Sequence, residues 1–323
     1  MPNTVDFDAI PVIDIAALGD PGAAEAETVR QIRAAAETAG FFYIRNHGVS
    51  TEHTAAILDA CRRFFALPLA AREAVLLIRS PVYRGYLPFG ARGNNVGRPP
   101  DLLESFNVGR ELGPDAPAVR AGKPLHGPNQ WPPGLPGFRE TVLGYYAALE
   151  VLMLRLLDGI ALALELPREG LRAQYRLPLT QLRLLHYPPQ PPQTDDQIGV
   201  RAHQDTDFLT ILLQDHHGGL EVQNRAGAWI AAPPRPDTFV VNVGEMLELV
   251  TCGRFPATMH RVVNRSGAER YSVPFFISPD YDTVLRPLPH FAGTDGVARD
   301  PLPVGDSMAA FFRGLWPSPS DAR

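Results

Sequence analysis

Three short stretches toward the C-terminal end carry residues whose types and spacing could do chemistry: His203-Gln204-Asp205, His260, and Arg270-Tyr271-Ser272. Alternate side chains of a β-strand share a face, so a strand through the first stretch would aim His203 and Asp205 at one ion and turn Gln204 away. His260 can reach the same ion from a distant strand. Two imidazoles and one carboxylate on one side of a metal leave the opposite positions open, which suits non-haem iron(II) and oxygen chemistry. Two histidines and an aspartate also serve zinc hydrolases. Arg270 and Ser272, two apart on an expected strand, could bind the far carboxylate of a co-substrate that chelates the metal. A zinc hydrolase leaves those two residues without a role.

For these residues to meet, the chain must fold back on itself several times. After Pro178 it reads as short runs separated by glycine and proline turns: 181–187, 209–214, 220–223, 229–232, 238–243, 260–263 and 271–277. That rhythm predicts a double-sheet jelly roll or barrel. Upstream, a strand over 10–15 leads to a helix with Val29, Ile32, Ala36 and Ala39 at helical spacing, ended by Gly40. A strand over 41–44, a turn at Asn46-His47-Gly48 and a helix over 51–66 follow. Segment 79–136 is dense in proline and glycine and reads as loop, with one edge strand over 102–108. Val142, Tyr146, Leu149, Met153, Leu156, Ile160 and Leu164 then mark a long amphipathic helix that packs against a sheet. A last helix over 307–315 precedes a Pro/Ser tail. The expected fold is mixed α/β, a jelly-roll core flanked by N-terminal helices. Its expected regions are an N-terminal α/β part (1–140), the long helix plus jelly-roll core (141–315) and the tail (316–323).

Composition narrows the function classes. The formal net charge is −5, and all but one of the 30 basic residues are scattered arginines, so nucleic acid is not the expected partner. The apolar stretch 140–167 is interrupted by Glu150, Arg155, Asp158 and Glu165, which excludes a membrane span of about 20 uncharged residues. The first 15 residues lack a basic flank and a continuous apolar run, so they do not read as a secretory signal, and a cytoplasmic location is expected. Two isolated cysteines, Cys61 and Cys252, read as core or surface thiols rather than a disulfide.

Ordered motifs surround the three chemical stretches. Ahead of them stand Ile10-Pro11-Val12-Ile13-Asp14, Gly40-Phe41-Phe42-Tyr43, Asn46-His47-Gly48-Val49, Arg84-Gly85-Tyr86, Glu104-Ser105-Phe106 and Leu184-Leu185-His186-Tyr187-Pro188. Behind His203 come Gly218-Gly219-Leu220, Trp229, Asn242-Val243-Gly244-Glu245 and the ten-residue step from His260 to Arg270. Over nearly its whole length the chain thereby resembles the isopenicillin N synthase-like branch of the Fe(II)/2-oxoglutarate-dependent dioxygenases. The resemblance implies that His203, Asp205 and His260 bind Fe(II). It implies that Arg270 and Ser272 hold the 5-carboxylate of 2-oxoglutarate, with Tyr187 a further contact, leaving one position for O2. The implied reaction is oxidative decarboxylation of 2-oxoglutarate to succinate and CO2, coupled to hydroxylation, desaturation or cyclisation of a small organic substrate.

Isopenicillin N synthase itself keeps the Arg-x-Ser pair and uses no 2-oxoglutarate, so an iron oxidase of that type is the alternative; a non-catalytic metal-binding sensor is another. Leu185 stands where many relatives have asparagine, and Arg92 where a glutamate is common, so plant substrate preferences do not transfer. Candidates for the substrate pocket are Tyr83, Arg84, Phe106, Phe208 and Phe276. Arg84 could take a substrate carboxylate or brace its loop by pairing with Glu104, and the aromatics could line the pocket or fill the core. His47 reads as a turn residue, His216 and His217 as part of a hairpin, and His186 as facing away from Tyr187. None of the other histidines is assigned to iron.

Overall fold

The computed structural model describes residues 6–91, 100–190, 198–293, 297 and 299–316. Arg92 and the tail beyond Trp316 lie outside the described residues. The N-terminal region forms β1 (Val12–Asp14), α1 (Ala23–Thr38), β2 (Phe41–Arg45), α2 (Thr51–Phe65) and the short α3 (Leu69–Glu73). Gly40, between α1 and β2, has φ +63°, and any Cβ there would run into the Pro256 carbonyl. Only glycine makes this turn without strain. Ser50 caps α2 by accepting from the His53 backbone N–H at 3.2 Å.

The chain continues through β3 (Gly85–Leu87), β4 (Glu104–Gly109), the short α4 (Pro117–Arg120) and the 26-residue α5 (Phe138–Ala163). The rest is mostly strand: β5 (Gln181–Tyr187), β6 (Val200–His203), β7 (Leu209–Gln214), β8 (Leu220–Gln223), β9 (Trp229–Ala231) and β10 (Phe239–Val243). After α6 (Glu245–Val250) come β11 (His260–Val262), β12 (Arg270–Ile277), β13 (Val284–Leu285), β14 (Leu302–Pro303) and α7 (Val304–Leu315).

These strands form a major sheet in the order β1-β2-β10-β7-β12-β5-β4-β3 and a minor sheet in the order β6-β11-β8-β9. Apart from the parallel β1–β2 pair, the pairings are antiparallel. This is the double-stranded β-helix, flanked by the N-terminal helices and α5. The period of two then sorts the side chains. Leu182 and Leu184 of β5, Ile211 and Leu213 of β7, and Val273, Phe275 and Ile277 of β12 join one apolar core with the α5 stripe. In that core Tyr146 of α5 meets Phe275 edge-on at 5.2 Å. The alternate residues face the minor sheet and the space between the sheets.

Two expectations are corrected. The strand in segment 79–136 is not an edge: Gly85–Leu87, read as loop, pairs outside β4 and covers it, and all six residues of β4 are buried. A three-residue strand beginning with glycine carries no alternation that a sequence could reveal. Trp316, placed at the head of the tail, is 4% exposed and stacks on Phe312 of α7 at 5.3 Å. Among the described residues no helix is long and apolar enough to cross a membrane.

Candidate active site

β6 and β11 pair so that His203 and His260 are direct cross-strand partners, with ring centroids 4.2 Å apart. Asp205 is not on the strand with His203, as the spacing suggests; β6 ends at His203 and Asp205 follows in the crossing from the minor to the major sheet. Hydrogen bonds rather than a strand register aim it. Its Oδ2 accepts from Thr210 Oγ1 at 2.6 Å and from Asn242 Nδ2 at 2.7 Å, and these residues belong to the neighbouring strands β7 and β10. Oδ1 is left facing the imidazoles, 3.7 Å from Nε2 of each.

Both rings are oriented from behind. The Nδ1 of His203 lies 2.8 Å from the Arg201 carbonyl and that of His260 3.1 Å from the Thr258 carbonyl. A carbonyl only accepts, so each Nδ1 donates and each Nε2 is the ring nitrogen left to face an ion. Two ligands each about 2.1 Å from one ion stand about 3–3.6 Å apart at angles of 90–120°. The three atoms, all within 4.8 Å of one another, are arranged for a divalent cation. Burial pushes the Asp205 carboxyl up, but the two imidazoles and the Thr210 and Asn242 hydrogen bonds outweigh it and hold the group below its ordinary range. It is thus a ready anionic ligand. Asp207, two residues on, is driven well above the ordinary range by burial and by the Asp205 charge, and it bonds Thr210 weakly.

Arg270 begins β12 opposite Tyr187, and its side chain is fully buried. Its guanidinium sits 4.6 Å over the Tyr187 ring, donates through Nε to the Gly218 carbonyl, and reaches Gln214 Oε1 at 3.2 Å and Ser272 Oγ at 3.3 Å. Among the described residues no carboxylate pairs with it. An uncompensated buried charge is costly, so among the described residues this geometry suits an anion entering the cavity. Arg270, Ser272, Tyr187, His203, Asp205 and His260 all line one cavity between the sheets.

Of the five residues read as substrate contacts, Phe276 alone lines that cavity. Phe106 packs among Phe64, Phe138 and Trp131 in the helical core. Phe208 meets Tyr175 there, and Tyr83 lies against Phe312 and Trp316 from outside. Arg84 neither faces the cavity nor braces Glu104. Its guanidinium lies over Gly109, which has no side chain to obstruct it, and reaches the Leu125 carbonyl at 3.4 Å. Burial pushes it down to about 10. Glu104 is instead bonded to Arg72, Tyr86 and His186.

His47 is structural, as expected: its carbonyl accepts from Arg155 at 3.0 Å and its ring packs on Phe239 at 4.4 Å. Sequence reasoning missed the residues that hold the others in place, namely Thr210 and Asn242 behind Asp205 and Gln214 beside Arg270. It also missed Gln181 and Arg183, and the closing wall made by Met308, Phe311, Phe312 and Trp316. Gln181 and Arg183 had a usable signal, because they stand six and four residues before Tyr187 and therefore share its face of β5.

The chain is similar to known proteins over nearly its whole length. Residues 10–134 fit the family model of the non-haem dioxygenase in morphine synthesis N-terminal region, and residues 172–279 that of the 2OG-Fe(II) oxygenase superfamily. A 2-oxoglutarate-Fe(II) type oxidoreductase of Emericella nidulans is 37% identical over 289 residues, covering 87% of this chain and 83% of its own length. The homoarginine-6-hydroxylase 2-ODD-C23 of Glycine max is 35% identical over 298 residues, covering 88% and 89%. Among solved structures, a full-length Neurospora crassa protein in complex with alpha-KG and thymine superposes with a TM-score of 0.81 at 26% identity over 94% of this chain and 97% of that one. JOX2 in complex with 2OG, Fe and JA gives 0.78 at 26% identity over 100% and 91%.

Proposed function

Because the chain belongs to the 2OG-Fe(II) oxygenase superfamily, we propose that His203, Asp205 and His260 hold its iron and that Arg270, Ser272 and Tyr187 hold its 2-oxoglutarate. The protein is an Fe(II)/2-oxoglutarate-dependent dioxygenase. Iron, when bound, supplies oxygen activation, and with it the decarboxylation of 2-oxoglutarate to succinate and CO2 and the oxidation of a small organic substrate. The chain's own residues bind, orient and exclude. His203 and His260 turn Nε2 toward the metal position because Nδ1 is spoken for by carbonyls. Asp205 stays ionised, and its free Oδ1 completes the set. Arg270 takes the distal carboxylate of the co-substrate with a fixed fork, Ser272 adds a hydroxyl beside it, and the Tyr187 ring fixes the guanidinium plane.

The observation that carries the assignment is the buried guanidinium of Arg270, without a carboxylate partner among the described residues, in the same cavity as the three metal-ligand candidates. Purified protein given Fe(II), 2-oxoglutarate and oxygen is expected to form succinate, and Arg270→Leu to form it only at much higher 2-oxoglutarate. Turnover with zinc but none with iron would restore the hydrolase, and substrate oxidation without succinate would favour the isopenicillin N synthase type.

Two further readings accompany this one. The division into a 1–140 region and a catalytic core that begins at 141 and keeps Trp316 is supported by the separate family matches at 10–134 and 172–279. A cytoplasmic location is supported by two buried, unpaired cysteines, Cys61 and Cys252.

A further inference from the structure

The turn between β7 and β8, which carries His216 and His217, touches Arg270 directly. Read from the sequence as a hairpin, it instead crosses from β7 of the major sheet to β8 of the minor sheet. Gly218 and Gly219 have φ +74° and +101°, so the chain reverses where only glycine is unstrained. The reversal lays the Gly218 carbonyl on Arg270, where it accepts from Nε. A Cβ on Gly219 would stand 3.6 Å from the same nitrogen and 2.7 Å from the Val263 carbonyl oxygen. The turn is thus packed against the guanidinium and leaves no space for a side chain.

A guanidinium has five N–H donors. In Arg270 three are engaged within the chain, by Gly218, Gln214 and Ser272, and one on each terminal nitrogen is left, which is what a carboxylate accepts in a bidentate pair. Gln214 and Gly218 lie on either side of Asp215, and Asp215 fixes the chain between them. Its backbone N–H donates to the Tyr271 carbonyl at 3.1 Å, just past the β7–β12 ladder. Its carboxyl then takes the place of a ladder carbonyl, with Oδ2 accepting the Tyr271 N–H at 2.6 Å. Oδ1 accepts the His217 N–H at 2.9 Å, which bends the chain out of the sheet, and His217 Nδ1 lies 3.2 Å from Oδ2. One buried carboxyl group therefore ties the turn to the residue that follows Arg270.

Resting on the reading of Arg270 as the 2-oxoglutarate grip, we propose that Asp215 and His217 are positioning residues: they hold the guanidinium in one place and so set the length of co-substrate that the cavity accepts. The co-substrate spans two fixed points, the metal position at His203, Asp205 and His260 and the fork of Arg270. A fork held by Gly218, Gln214 and Ser272 does not follow a diacid one methylene longer, and in a fitted site one methylene is worth about 10–200-fold. Loosening the turn releases Nε and lets the fork move with the longer acid. The His217 side chain is 23% exposed, so it can be replaced without opening the core.

The test compares wild type, His217→Ala, His217→Asn, Asp215→Asn and the core control Phe275→Ala. Anaerobic calorimetry measures Fe(II) binding to the metal-free protein, then binding of 2-oxoglutarate and of 2-oxoadipate, one methylene longer, to the Fe(II)-loaded protein. Wild type is expected to prefer 2-oxoglutarate by about tenfold or more. His217→Ala should lower that preference several-fold while Fe(II) affinity holds. His217→Asn, which keeps a side-chain donor, should restore part of it, and Asp215→Asn should lower it furthest. Phe275→Ala should melt earlier and keep the full preference, as a purely structural loss does. If Asp215→Asn fails to fold, the two His217 variants decide. A wild type without preference, a preference unchanged in His217→Ala, or one lost equally in Phe275→Ala would overturn this proposal alone. Wild type that binds Fe(II) but no 2-oxoglutarate, or Arg270→Leu that binds both diacids as wild type does, would overturn the reading beneath it.

Discussion

On β5, Leu182 and Leu184 press into the helical layer while Gln181, Arg183 and Tyr187 line the cavity; on β12, Val273, Phe275 and Ile277 do the first and Arg270, Ser272 and Phe276 the second. The same strands thus carry two programmes one residue out of phase. The helix-side face is apolar and continuous with α5, and its contribution is burial. The cavity face buries two guanidinium groups, a glutamine and a serine, a poor way to stabilise a sheet. A fold that tolerates this on one face is supported from the other. Neighbouring substitutions should therefore fail in different ways: on one face the protein unfolds more easily, and on the other it stays folded and loses ligand binding.

The largest effect is expected on the cavity side. Asp205→Ala leaves two protein ligands for iron, and succinate formation should fall below about a thousandth of wild type, well beyond the roughly 10–100-fold that losing an outer partner of a ligand costs. Retained turnover, with metal content checked, would break the assignment. Arg270→Leu removes the charge-assisted grip, worth about 2–5 kcal/mol, so the 2-oxoglutarate concentration needed should rise roughly 30-fold to several thousand-fold. Its melting temperature should hold or rise, since an uncompensated buried charge has gone. Phe275→Ala, on the opposite face of the same strand, should cost about 3–5 kcal/mol of stability in denaturant unfolding, with metal and 2-oxoglutarate affinity unchanged in the folded fraction. Equal loss of binding in that variant would show that the faces are not separable. Thr210→Val, which keeps shape and removes the hydroxyl behind Asp205, should weaken metal binding by about 10–100-fold while stability changes little.

The smallest effect tests the helix-side polar exception. His186 is bonded on both ring nitrogens, to Glu104 and Glu269. Burial alone would lower its pKa, but the two carboxylates outweigh burial and raise it above the ordinary 6.5. A folded pKa above the unfolded one gives stability that is fully present below about pH 6.5 and lost as pH rises through the folded value. The stability advantage of wild type over His186→Gln should therefore be larger at pH 6 than at pH 9. A difference that grows with pH would mean that the imidazole is neutral in the fold.

Much of this arrangement is legible in the sequence, and the failures share a cause. His203, His260, Arg270 and Ser272 can be named because residue type and strand spacing carry the information. Asp205 can be named too, but its support is misjudged, since only tertiary hydrogen bonds from β7 and β10 aim it. Phe106 passes for a pocket residue because the phase of an alternating strand does not say which face meets helices, and Phe208 because it stands just ahead of β7, where no strand phase applies. Arg84 misleads for the opposite reason: a buried arginine can end on a carbonyl over a glycine, a partnership that leaves no pattern. The wall formed by α7 is invisible because its contact with the cavity is set by a chain reversal far from the ligand strands.

The central claim, that Arg270 holds the far end of a co-substrate chelating the metal at His203, Asp205 and His260, is tested most directly by anaerobic titration of the metal-free protein with Fe(II) and then with 2-oxoglutarate. A weak visible charge-transfer band is predicted to appear with 2-oxoglutarate, and to be lost in Arg270→Leu at limiting 2-oxoglutarate. Iron demonstrably bound with no band at saturating 2-oxoglutarate, or an unchanged titration in Arg270→Leu, would contradict the claim.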